Sequence, residues 1–127
     1  MVTIAPEYGF TLVTRDRSLL DHADRDDMTP AAFKRTLTQA KPPPGLTPAL
    51  TALWWANKDG SERDAWNKAH EIVMNDDGAD CAWVHAYLHR VEGDVSNARY
   101  WYRQANRPPT TGTFRAEWDA IVAALLQ

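Results

Sequence analysis

Helix breakers recur at short intervals beyond residue 40, and they limit what this chain can fold into. "KPPPGLTP" (41–48), "DGSERD" (59–64), "DDGAD" (76–80), Gly93-Asp94 and "NRPPTTGT" (106–113) each stop one apolar-striped segment and open the next. Proline fixes φ, glycine reaches positive φ, and aspartate and threonine bond to nearby backbone, so each break has its own cause. Between the breaks, apolar residues recur at three- and four-residue spacing, which is the mark of amphipathic helices.

The segments read as follows. In "DDMTPAAFKRTLTQA" Thr29 is placed to cap, Pro30 takes the first helical position, and Phe33, Leu37 and Ala40 share a face. "PALTALWWANK" turns Leu50, Leu53 and Trp54 inward, and "AWNKAHEIVMN" stripes Ala65, Ala69, Ile72 and Val73. "CAWVHAYLHRVE" lines up Cys81, Val84, Leu88 and Val91. Gly93 suits its left-handed end, and Asp94 is placed to cap "VSNARYWYRQA", with Ala98, Trp101, Tyr102 and Ala105 as its stripe. "FRAEWDAIVAALLQ" carries Phe114, Trp118, Ile121, Val122 and Leu125 on one face. Before residue 26, "YGFTLVT" reads as an extended arm with no obvious strand partner, and "SLLDHAD" as a short helix.

The expected fold class is therefore all-α: a compact bundle of about five to six short helices with a short extended N-terminal arm. One domain spans 1–127. It comprises an arm and helix (1–40), a proline-rich connector (41–48), two tandem αα-hairpins (within 47–106, as 47–76 and 81–106) and a C-terminal capping helix (113–127). Three consecutive prolines favour an extended connector, and the forty or so residues before it are too few for an independent core.

Cys81 is the sole cysteine, so the chain cannot form an internal disulfide, which fits a reducing compartment. No basic stretch followed by an apolar run marks "MVTIAPEYGF" as a secretory signal, and no apolar segment approaches the ~20 residues that span a bilayer. A cytoplasmic location with no membrane partner is expected. The net charge of −3 is uneven, with acidic stretches at 21–27 and 59–80 and basic Arg90, Arg99, Arg103 and Arg107. That balance disfavours a broad polyanion-binding surface. Arg99, Tyr100, Trp101, Tyr102, Arg103 and Arg107 interleave base and aromatic but do not share a helical face, which disfavours nucleic acid as a partner.

Gly93-Asp94, Ala98, Trp101-Tyr102 and Ala105 resemble a tetratricopeptide-type repeat, and more closely its Sel-like relatives, across residues 81–106. Such repeats place small residues where two helices touch and an aromatic between them. The first helix of this hairpin departs from the pattern, with His85, Ala86 and His89 where the repeat prefers Leu, Gly and an aromatic. The first hairpin is degenerate. The whole string is also similar to a family of short bacterial proteins, a likeness that implies no activity. Two repeats fall short of a solenoid, so the flanking helices are expected to cap the pair.

Two readings of function follow. The favoured one is a small helical module for a protein or peptide partner, with Trp54, Trp55, Trp83, Tyr100 and Arg103 as binding residues. Six tryptophans and a short solenoid also suit a homodimer. The competing reading is a metal-binding protein or enzyme centred on His85 and His89. These lie one turn apart on one face, with Glu92 on the same edge as a candidate acid or base and His70 as a candidate third ligand. Against it, the edge borders the apolar stripe, and histidines at helical interfaces commonly just hydrogen-bond. The pair is accordingly expected to join a polar network with His70, Tyr102 or a backbone carbonyl. No Gly-rich phosphate loop, Ser-centred elbow or paired-cysteine zinc pattern appears, so no cofactor is assigned. Cys81 reads as a small core residue rather than a nucleophile.

Overall fold

A computed structural model describes residues 2–6, 8–9, 28–57 and 62–127. The arm carries a short antiparallel pairing of β1 (Val2–Pro6) with β2 (Tyr8–Gly9), Val2 opposite Gly9 and Thr3 opposite Tyr8. It thus supplies its own partner, which the sequence did not suggest. The expected helix in "SLLDHAD" lies outside the described residues.

The body is helical. Among the described residues six α-helices follow in order: α1 (Pro30–Arg35), α2 (Pro48–Ala56), α3 (Glu62–Met74), α4 (Ala79–Glu92), α5 (Val95–Ala105) and α6 (Phe114–Leu125). Their starts are set by side-chain caps. Thr29, Thr47, Asp94 and Thr113 accept bonds from the amides of Ala32, Leu50, Asn97 and Ala116, at 3.0, 3.3, 3.2 and 3.0 Å. Gly93 ends α4 at φ +92°, where the amides of Gly93 and Asp94 reach back to the carbonyls of Arg90 and His89.

α1 is shorter than its sequence stripe. It passes at Thr36 into a 3-10 turn (Thr36–Thr38), and Ala40 is exposed. The hydroxyls of Thr36 and Thr38 donate to the carbonyls of Phe33 and Arg35, and this local bonding competes with continued helix before the prolines.

The helices pair as two hairpins, α2 with α3 and α4 with α5, while α6 lies across α4, α2 and α1. The main core gathers Phe33, Leu53, Trp54, Val84, Leu88, Trp118, Ile121 and Val122. The two buried indoles keep partners: Trp54 Nε1 donates to Thr36 Oγ1 at 3.0 Å and Trp118 Nε1 to the Leu53 carbonyl at 2.9 Å. A satellite cluster of Ala86, Ala98 and Tyr102 joins α4 to α5. Small residues at 86 and 98 let those helices approach closely.

Two further stripe residues depart from expectation. Val91 and Phe114 are 37% and 46% exposed, and each lies at a helix end. Phe114 is instead covered by the guanidinium of Arg90, 4.8 Å from its ring centre. No helix among the described residues is long and apolar enough to cross a membrane.

Candidate metal centre

Trp66 and His70 stand four apart on α3, and His85 and His89 stand four apart on α4. Both pairs therefore project from one helical face each. α3 lies against α4 along those faces, and the three imidazoles meet at the seam between the two hairpins. One ring nitrogen from each of His70, His85 and His89 lies within 4.8 Å of the others. The closest approach is 3.2 Å, between Nε2 of His70 and Nε2 of His85. Two imidazole nitrogens on one tetrahedral zinc ion are separated by about 3.3 Å, so that edge is already at ligand spacing.

The surroundings fix these rings. His89 Nδ1 meets Glu92 Oε2 at 2.7 Å across one helical turn, leaving its Nε2 for the cluster. A carboxylate behind an imidazole is the arrangement that sets the tautomer of a metal-ligating histidine. Trp66 stacks on His70 with ring centres 4.6 Å apart, and Trp101 stacks on His85 at 3.9 Å and 13°. The Trp66 indole N–H donates to the Leu88 carbonyl at 2.8 Å, so that wall is itself anchored.

Burial and mutual repulsion disfavour the charged forms of His70 and His85. Desolvation lowers the His85 pKa to about 4, with the positive forms of His89 and His70 adding to it. Desolvation also lowers that of His70, and His89 acts in the same direction while Glu92 opposes. Neutral imidazole is the form that binds a metal, so at neutral pH these two lone pairs need shed no proton first. One atom stands out: His85 Nδ1 is buried and has no hydrogen-bond partner. A buried polar atom left alone costs about 1–3 kcal/mol, and an apolar residue at 85 would avoid it.

The binding residues expected from sequence are scattered. Trp54 is fully buried at 0% exposure and is no surface anchor, because it is the centre of the α2 face. Trp55 is half-buried under Lys68 Nζ, 4.2 Å from its ring centre, and Trp83 under Arg107, at 3.9 Å. Tyr100 and Arg103 are exposed on the outer side of α5. Cys81 is buried, and its thiol is pushed up to about 12, by burial first and then by Asp76 and Asp80.

A second polar cluster was not legible as such. Arg90 and Tyr102 both bond to Glu117 of α6, Arg90 at 2.9 Å and Tyr102 through its hydroxyl, and Arg90 also donates to the Gly112 carbonyl. Glu117 is only 6% exposed. The sequence placed Arg90 only among the basic residues and offered Tyr102 as a histidine partner. Both serve Glu117 instead, because α6 packs over the end of the α4–α5 hairpin. Trp101 as a wall of the histidine cluster was also missed, since nothing local links residues 85 and 101. Trp66 carried a signal in its spacing from His70.

Comparison with protein-family models, curated proteins and solved structures finds no match.

Proposed function

We propose that this protein binds a divalent transition metal, with zinc the best fit, through His70, His85 and His89, and that Glu92 orients His89. The observation that carries the proposal is the convergence of three imidazoles from two helices at a 3.2 Å Nε2–Nε2 edge. The donor set favours zinc, copper, nickel or cobalt over calcium or magnesium, which prefer oxygen ligands. The orphaned His85 Nδ1 supports the same reading: a ring kept at a cost to stability suits a site better than a packing role.

The binding-module reading draws on less, since Trp54 is in the core and cations cover Trp55 and Trp83. The repeat-like descent of the α4–α5 hairpin rests on the Gly93-Asp94 turn and on buried Ala98 and Ala105. It is compatible with either reading.

The test is elemental analysis and calorimetric titration of chelator-washed protein with Zn²⁺. The expected result is one ion per chain, lost in His70→Ala and His85→Ala. A parent protein that takes up no stoichiometric transition metal overturns the proposal.

A further inference from the structure

We infer that an ion held by His70, His85 and His89 has no fourth ligand among the described residues, and that its remaining position takes small monodentate anions from solution. The inference rests on the metal-binding reading above.

Donor count leads to it. Zinc, cobalt and copper ions seldom stop at three ligands. Among the described residues, the other candidate donors near the rings are already committed. Glu92 and Asp94 group with His89 separately from the three-histidine set. The Glu92 carboxylate bonds to His89 Nδ1, which faces away from a shared ion on Nε2. Asp94 accepts from the backbone amide of Asn97 as the cap of α5. Cys81 precedes His85 by one turn, but it packs in the main core, and burial with nearby Asp76 and Asp80 holds its thiol protonated. The Trp66 indole N–H is taken by Leu88.

Charge and shape then select the ligand. Three neutral imidazoles leave the full charge of a divalent ion uncompensated in its first ring of ligands, and a half-buried setting strengthens its pull on an anion. Indoles flank the rings on two sides, stacked on His70 and on His85. His85 and His89 are 4% and 6% exposed, whereas His70 is half-buried, so of the three rings His70 is the one solvent reaches most. So enclosed a set of rings suits a ligand of a few atoms, such as azide, thiocyanate or hydroxide.

The probe is the full chain loaded with Co²⁺, whose visible absorption reports its ligands, titrated with azide. The expected result is one Co²⁺ per chain and a saturable shift of the visible bands on adding azide. Glu92→Gln should keep the azide response while weakening metal affinity roughly 10–100-fold, as loss of an orienting partner does. Stoichiometric Co²⁺ with no azide response overturns the inference while the metal site itself stands. So does a response that appears only in Glu92→Gln, which would make Glu92 the fourth ligand. Failure of Co²⁺ and Zn²⁺ alike to bind removes both readings together.

Discussion

The molecule buries two polar clusters, and they are built on opposite terms. In the Arg90–Glu117–Tyr102 cluster the carboxylate is matched by a guanidinium and a hydroxyl, and three helices meet on it. In the His70–His85–His89 cluster the rings crowd one another, burial lowers the pKa of two of them, and one ring nitrogen has no partner. The first cluster satisfies its members and needs nothing from outside. The second leaves His85 Nδ1 unmet while it gathers three imidazoles at ligand spacing. Buried polarity alone therefore does not mark a site; several donors converging at ligand spacing do.

That contrast can be tested from its strongest arm to its weakest. Glu117→Leu should destabilise most, by about 3–5 kcal/mol, because it strands the half-buried Arg90 charge and the Tyr102 hydroxyl. Combining it with Arg90→Met and Tyr102→Phe should recover most of that loss in urea unfolding, since an apolar triad of similar volume has nothing left to satisfy. If the triple variant is as unstable as the single one, the cluster contributes more than mutual satisfaction.

Ala98→Leu comes next. Ala98 is buried against Ala86 and Tyr102, so extra methylenes should overpack the α4–α5 seam by about 1–3 kcal/mol. An unchanged melting temperature would show that the seam beside the histidine cluster is loose rather than close-packed. Asp94→Ala removes the cap of α5 and should cost about 1 kcal/mol, read as a drop in urea midpoint with unchanged slope. It should leave zinc stoichiometry intact, which separates Asp94 from the metal ligands.

The smallest effect at neutral pH should come from His85→Leu, within about 1 kcal/mol of the parent without metal. The variant loses a ring contact but also loses an orphaned nitrogen. Its signature lies in acid. The His85 pKa falls from the ordinary 6.5 to about 4 in the folded protein. The unfolded chain therefore binds more protons between those values, and the parent loses stability as pH falls from about 6.5 to about 4. His85→Leu should flatten that slope in melts across the same range. It should also abolish the rise in melting temperature that Zn²⁺ gives the parent. A Zn²⁺-induced rise that persists in His85→Leu would move the metal away from this cluster.

Much of this could be read in the residues. Helix number and order, the Gly93-Asp94 turn and the threonine caps depend on neighbours a few positions apart, and such signals are local. The pairing of His85 with His89 is likewise a matter of helical pitch. Other features required the packed chain. His70 could be offered as a third ligand, but only the way α3 lies on α4 brings its Nε2 to 3.2 Å from that of His85. Trp54 carries the same amphipathic ring as Trp55, yet one is core and the other a half-covered surface, because Trp54 points to the core and Thr36 while Trp55 lies under Lys68 of α3. Arg90 reads as solvated until Glu117 arrives from α6, 27 positions away. The sequence by itself determined periodicity, capping and the short-range histidine pair, since these are set within a turn of backbone. The tertiary structure decided which polar groups find partners and which remain open, because that depends on helix faces meeting across distances that no local pattern encodes.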